Sequence, residues 1–283
     1  MVLRKVGIVV PYYNRPEMIR ECLKSLGLYA GHQVTVYIVD NSDDRYRILD
    51  GWDRGLRLDY VDDICVIDMP TECGVGLARN VGTQQALDDG CDLVFNFDDD
   101  AKLTAPNALD KIFQLMAAEP RFVSVGAIGS MTRYLPSFTK DSVAFLKANI
   151  VLTCFPRWFF EEHGNYDPDL TLLEDVDMSL RAWQHGHWVG AVHVPMYHHR
   201  YQPHRTADGG TAKKKHFRFG SSEGHSTARL LERRFAGMVR VKSNSAICRQ
   251  FPFPEERYFF QDGELHVELA DGIENGGDHY VNE

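Results

Sequence analysis

Through its first two hundred residues the chain alternates short apolar runs with stretches whose apolar positions recur every three or four residues. Val6–Val10, Val34–Val39 and Leu93–Phe97 are continuous apolar runs of strand length, and Cys65–Asp68 is a shorter one. Pro16–Leu26 has helical spacing, with proline in its first turn and Gly27 at its end. Gly76–Leu87 places Ala, Leu and Val on one face of a second helix, and Ala108–Ala117, after Pro106, reads as a third. The rhythm predicts an α/β domain built on a doubly wound, mainly parallel sheet. Ligands of such sheets bind beyond the carboxyl ends of the strands, so the residues at those ends are the ones to inspect.

The strand ends are polar and acidic. The first run leads into Pro11-Tyr12-Tyr13-Asn14-Arg15, the second into Asp40-Asn41-Ser42-Asp43-Asp44, and Leu93–Phe97 into Asp98-Asp99-Asp100. One Asp at a strand end is commonly a helix cap or turn former; three such ends together point to a binding site. Adjacent carboxylates repel, so Asp98–Asp100 calls for a cation. A hard divalent ion such as Mg²⁺ or Mn²⁺ takes carboxylate oxygens and leaves positions for phosphate oxygens. Farther on, Glu174-Asp175-Val176-Asp177 opens a helical stretch that stops near His185-Gly186. Acidic residues there favour the helix dipole and also form a second carboxylate group. His187–Val194 reads as a strand and is followed by Pro195-Met196-Tyr197-His198-His199, where a histidine could complete a metal site begun by carboxylates.

These motifs, in this order, resemble family 2 glycosyltransferases of the GT-A fold. The resemblance rests on Pro11 to Arg15, on Val39-Asp40-Asn41-Ser42, and on Gly74-Val75-Gly76-Leu77-Ala78-Arg79-Asn80-Val81-Gly82. It continues through the DxD-type Asp98-Asp99-Asp100, Gly164-Asn165-Tyr166-Asp167, Glu174 to Arg181, and a His after the next strand. It spans about residues 5–200. It implies that Asp40 hydrogen-bonds the nucleotide base and that Pro11, Tyr13 and Arg15 line the nucleoside pocket. Arg79 is implied near the base or diphosphate, and Asp98 in contact with the ribose or the metal, with Asp99 beside it in the nucleotide-binding set. Asp100 is implied as ligand of a divalent cation, with His198 as the other protein ligand. His199 is the alternative; His198 comes first after the strand. Asp175, with Glu174 beside it, is implied as the catalytic carboxylate. A single base facing away from the leaving group implies inversion at the anomeric carbon. The donor implied is a nucleoside-diphosphate sugar, expected to be a UDP-sugar, and the cofactor is Mn²⁺ or Mg²⁺.

Composition narrows the remaining choices. With 283 residues, 44% hydrophobic and 25% charged, the chain has room for one large α/β domain and an extension. No apolar run approaches the roughly 18–20 residues that span a bilayer, and the start lacks the features of a signal peptide. The six scattered cysteines form no CxxC pair, which disfavours a zinc ribbon or a disulfide framework. A cytoplasmic enzyme, bacterial or in a virus-infected cell, is expected.

The net charge of −9 argues against a general polyanion binder, but it is unevenly distributed. Residues 200–250 carry 12 Lys and Arg against 3 Asp and Glu, while residues 251–283 carry 1 against 9. Three segments are therefore expected: a GT-A catalytic domain over 1–200, a basic acceptor-side extension over 201–263, and an acidic tail over 264–283 with the composition of a flexible segment. Lys213–Lys215 with Phe217 and Phe219, between Gly-rich stretches, reads as a loop able to close over the donor. Cations interleaved with aromatics are also a nucleic-acid pattern. The acceptor is thus a hydroxyl of a saccharide, peptide or small molecule, or a hydroxylated base such as a hydroxymethylpyrimidine of viral DNA. Two other classes fit the sequence less well. A sugar nucleotidyltransferase is disfavoured because Pro11–Arg15 lacks the glycine-rich, basic loop that holds a triphosphate. A non-catalytic binding module is disfavoured by the intact Asp98, Asp100 and Asp175.

Overall fold

Strands buried on both faces have no polar side to show, so they read as unbroken apolar runs. The computed structural model follows this rule. It describes residues 4–26, 32–48, 58, 61–71, 73–104, 109–127, 143–145, 152–170, 173–194, 196–198, 222–242, 245–248, 256–262 and 264–269. The first half comprises β1 (Lys5–Tyr12), α1 (Pro16–Ser25), β2 (Gln33–Asp40), β3 (Asp63–Asp68), α2 (Val75–Asp88) and β4 (Leu93–Phe97). It continues with β5 (Ala101–Leu103), α3 (Asp110–Ala118), β6 (Phe122–Ala127), β7 (Val143–Phe145), β8 (Leu152–Pro156), α4 (Arg157–His163), α5 (Glu174–Gln184), β9 (Trp188–Val192) and β10 (Met196–His198). The C-terminal part holds α6 (Ser222–Arg234), β11 (Val239–Lys242), β12 (Ser245–Cys248), β13 (Glu256–Gln261) and β14 (Glu264–Leu269).

Among the described residues the main sheet has eight strands in the order β3-β2-β1-β4-β8-β6-β9-β7. The pairs β1–β2, β2–β3, β1–β4 and β6–β9 are parallel; β8 runs antiparallel to β4 and β6, and β7 antiparallel to β9. This is the mainly parallel sheet of the GT-A fold expected from the sequence. Strand order reverses at β1, with β2 on one side and β4 on the other. The crevice of such a sheet lies at that switch point, which puts Tyr13–Arg15 and Asp98–Asp100 side by side.

Alternate residues of β1 face opposite layers. Ile8 and Val10 pack with α1, α3, Tyr258 and Phe260, whereas Val9 packs with α2, α4, α5, Leu231 and Phe235. The C-terminal elements thus contribute to both cores. The expected boundary at 263/264 falls inside the antiparallel β13–β14 hairpin, where Gln261 pairs with Glu264. Its Tyr258 and Phe260 are buried and Leu265 packs against the same core. The start of the acidic segment is therefore a strand; residues 270–283 lie outside the described residues, as does the basic stretch 201–221 with Lys213–Lys215, Phe217 and Phe219.

α2 approaches its neighbours so closely that two glycines are required. A Cβ on Gly82 would lie 2.5 Å from Val9 Cγ1 and 2.7 Å from Val39 Cγ2. A Cβ on Gly76 would lie 2.0 Å from the carbonyl oxygen of Leu170, and a backbone atom cannot swing aside. Gly76→Ala is expected to destabilise the fold by about 3 kcal/mol, the upper range for overpacking. A thermal melt of the variant beside the parent checks this.

Candidate active site

The turns after β1 and β2 are built as one unit. Asn14 adopts φ +55°, a left-handed conformation that asparagine tolerates. Its side chain donates to Asp43 Oδ2 at 2.7 Å and accepts from the Asp43 amide at 2.9 Å, and its own amide donates to Ser42 Oγ at 2.9 Å. Asp40 is fully buried at the end of β2. Its Oδ1 accepts from the Ser42 amide at 2.9 Å and its Oδ2 from the Ile48 amide at 2.7 Å, so this carboxylate shapes the 41–48 loop. Beside it lies an open hollow lined by Asp44, Arg47, Ile48, Asp68, Met69 and Pro70.

Asn41, one residue further on, is differently placed. It is 7% exposed; its Nδ2 donates to Cys73 Sγ at 3.5 Å, while its Oδ1 has no hydrogen-bond partner among the described residues. A buried acceptor without a donor is costly unless a ligand supplies one. The sequence motif contained Asn41 but did not single it out. Its open valence shows only in the folded chain, where loop amides take the Asp40 oxygens and Asn41 Oδ1 meets no donor among the described residues.

Each of the three carboxylates after β4 meets an arginine. Arg15 Nη1 lies 3.0 Å from Asp99 Oδ1 and 2.7 Å from Asp100 Oδ2, with all three side chains largely buried. Arg79 lies 2.7 Å from Asp98 Oδ1 through one terminal nitrogen and 3.0 Å from Glu174 Oε1 through the other. Burial pushes the Asp99 carboxyl up to about 7, against the pull of Arg15. Arg79 is itself buried, its Nε has no partner among the described residues, and its guanidinium faces the Tyr166 ring at 5.9 Å. It therefore ties the end of β4 to the start of α5.

That docking joins two of the sequence motifs. Asn80 Nδ2 donates to the Tyr166 carbonyl at 2.5 Å, and Asn165 Nδ2 returns a bond to the Asn80 carbonyl at 2.9 Å. The contacts hold α2 against the segment that leads into α5. Asp175, in the first turn of α5, is half-buried; its Oδ1 accepts from the Val176 amide at 2.8 Å. Burial, then the Glu174 carboxylate, raise its carboxyl to about 7 against the pull of Arg79. Glu174 is raised as well, chiefly by burial. A carboxylate that titrates near neutrality suits general base work.

Of the remaining expected residues, Pro11 lies in β1 opposite Val39, and the Tyr13 amide donates weakly to Asp99 Oδ2 at 3.4 Å. His198 lies in β10, whose register with β5 pairs it with Ala101, the residue after Asp100. The Asp100 turn and the His198 backbone are thus neighbours; His199 lies outside the described residues. No group of three or more His, Cys, Asp or Glu able to hold a metal ion occurs among the described residues. Two carboxylate oxygens at the end of β4, Asp99 Oδ1 and Asp100 Oδ2, meet at one guanidinium nitrogen; oxygens of this kind are the ligands that a hard cation takes.

No helix among the described residues is long and apolar enough to cross a membrane. Cys22, Cys65, Cys73, Cys91 and Cys154 are free thiols.

The glycosyl transferase family 2 model matches residues 7–166. The chain superposes on the crystal structure of S. aureus TarS with a TM-score of 0.50 and 18% identity, covering 67% of this chain and 35% of that one. The complex of TarS 1–349 with UDP-GlcNAc gives a TM-score of 0.51 at 18% identity, covering 66% of this chain and 56% of that one. At such identity the likeness is one of fold, and the chain spans between a third and three fifths of these proteins. No curated protein matches the sequence. The match over more than half of the chain, on a sheet with its carboxylates at the switch point, places it in a family: the chain belongs to glycosyl transferase family 2.

Proposed function

We propose that the protein transfers a sugar, with inversion, from a nucleoside-diphosphate sugar to an acceptor hydroxyl. The observation that carries this is the Asp98–Arg79–Glu174 bridge. It ties Glu174, the residue before Asp175, to the acidic end of β4, and the Asp175 carboxyl beside it is raised to about 7. Asp175 takes the acceptor proton while the acceptor oxygen attacks the anomeric carbon and the diphosphate leaves from the opposite face. Pro11, Tyr13, Arg15, Asp40, Arg79, Asp98 and Asp99 form the nucleotide side, Asp40 by shaping the 41–48 loop. Asp100 and His198 would hold a divalent cation, which would supply positive charge to the leaving diphosphate. A UDP-sugar is the donor class favoured, since TarS of the same fold is solved with UDP-GlcNAc. A panel of nucleotide-sugars with Mn²⁺, read by thermal shift, tests the donor assignment; no shift with any UDP-sugar would overturn it.

Asn41 Oδ1 is assigned to an N–H edge of the donor base. Asn41→Ala is expected to raise the donor KM about tenfold, the value of one lost hydrogen bond of about 1.4 kcal/mol, with kcat little changed. Steady-state kinetics with varied donor measures it.

The acceptor is assigned to a saccharide, peptide or small molecule. A hydroxylated DNA base is the second reading, supported by the charge of residues 200–250. Part of that charge serves the fold, because Arg234 pairs with Asp177 and Asp167 and Arg229 with Glu232. Transfer onto hydroxymethylated DNA, set beside transfer onto simple glycosides, separates the two.

A further inference from the structure

The carboxylates expected to bind a cation already hold one that belongs to the chain. Arg15 Nη1 reaches Asp99 Oδ1 at 3.0 Å and Asp100 Oδ2 at 2.7 Å, and the three side chains are 13%, 8% and 9% exposed. A divalent ion bonded to the Asp100 oxygens would lie within a few ångströms of this guanidinium, in a buried setting where screening is weak. Arg15 and the ion therefore exclude each other at Asp100.

The two arginines of the site sit on different elements. Arg79 is 4% exposed and fixed between carboxylates on β4 and α5. Arg15 sits on the turn between β1 and α1, directly after the left-handed Asn14, and its Nη1 is shared between Asp99 and Asp100. A guanidinium is also a good partner for a diphosphate, whose oxygens match its planar fork. A nucleoside diphosphate entering at the end of β1 offers Arg15 that alternative.

Resting on the donor assignment above, we propose that Arg15 is an internal counter-cation that blocks metal uptake at Asp100 until the donor diphosphate draws it away. Nucleotide and metal are then coupled through this one side chain. Arg15 acts here as a positioning residue, since it sets the availability of a metal ligand and carries no step of the reaction.

The test is direct Mn²⁺ binding, by electron paramagnetic resonance or calorimetry, without nucleotide. Arg15→Gln is compared with the parent and with Arg47→Gln, which removes a cleft arginine whose partners are the Asp40 carbonyl and Asp68. Arg15→Gln is expected to bind Mn²⁺ at least about tenfold more tightly than the parent, within the usual range of coupling between sites, and Arg47→Gln to stay near the parent value. If Arg15→Gln does not fold, Arg15→Lys, which keeps the charge and loses the fork, is expected to bind about threefold more tightly. Equal binding by parent and Arg15 variants overturns the inference and leaves the donor assignment standing if UDP still raises the melting temperature. An equal rise in Arg47→Gln also overturns it, because that is a general charge effect. Absence of Mn²⁺ binding in every protein removes the cation and this inference together, again without touching UDP binding.

Discussion

Asp175→Asn is expected to lower the turnover of donor and acceptor by about 10³-fold, in the middle of the range for loss of a general base, while donor affinity stays within about twofold of the parent. The substitution keeps the shape of the side chain and its bond with the Val176 amide, and removes the proton acceptor. The same assignment fixes a pH dependence. The carboxyl is raised to about 7 by burial and by the adjacent Glu174, and only its deprotonated form can act. The parent's kcat/KM should therefore rise with pH up to about 7 and level off above it. In Asp175→Asn this limb should be absent. Turnover that survives the substitution, or a limb that persists in it, would assign the base to another group.

The second large effect concerns stability. Asp177 is fully buried and accepts from Arg234 Nη1 at 2.5 Å and from Arg181. Arg181 also donates to the carbonyls of His163, Gly164 and Asn165, and Arg234 reaches Asp167 Oδ2 at 2.6 Å. Asp177 thereby joins α6 to the helix that carries Asp175. Asp177→Ala leaves two guanidinium groups without their shared carboxylate, for which a loss of about 3–5 kcal/mol is expected. For a chain of this size that lowers the melting temperature by roughly 6–15 °C. Arg234→Ala should cost less, about 1–2 kcal/mol, because the side chain is a third exposed and Arg181 still neutralises Asp177. Melts of the single variants and the double variant measure the coupling directly.

The parts of this molecule that a sequence displays are those with a strict period or a compact motif. β1, β2 and β4 stood out because both their faces are buried, and the switch point followed from their order. Asp98–Asp100 and Glu174–Asp177 stood out because carboxylates are seldom adjacent without cause. What stayed hidden depends on partners distant in sequence. The strands β8, β6 and β7 acquire direction only by pairing, and β13–β14 became part of the core because Tyr258 and Phe260 cover the same layer as α3. Asp40 looks like a ligand-binding residue in the motif, yet two amides of its own loop take its oxygens. Arg79 was expected beside the nucleotide, and its bridge from Asp98 to Glu174 appears only once α5 is folded against α2.

This cleft is expected to break the bond between a sugar and a nucleoside diphosphate. The most direct measurement is quantification of products after incubation with UDP-sugars and Mn²⁺, for the parent and for Asp175→Asn. The expected result is equal amounts of UDP and released or transferred sugar from the parent, with a loss of about 10³-fold in the variant. Absence of UDP from every donor, or pyrophosphate formed from a nucleoside triphosphate and a sugar 1-phosphate, would rule out sugar transfer from a nucleoside diphosphate at this cleft.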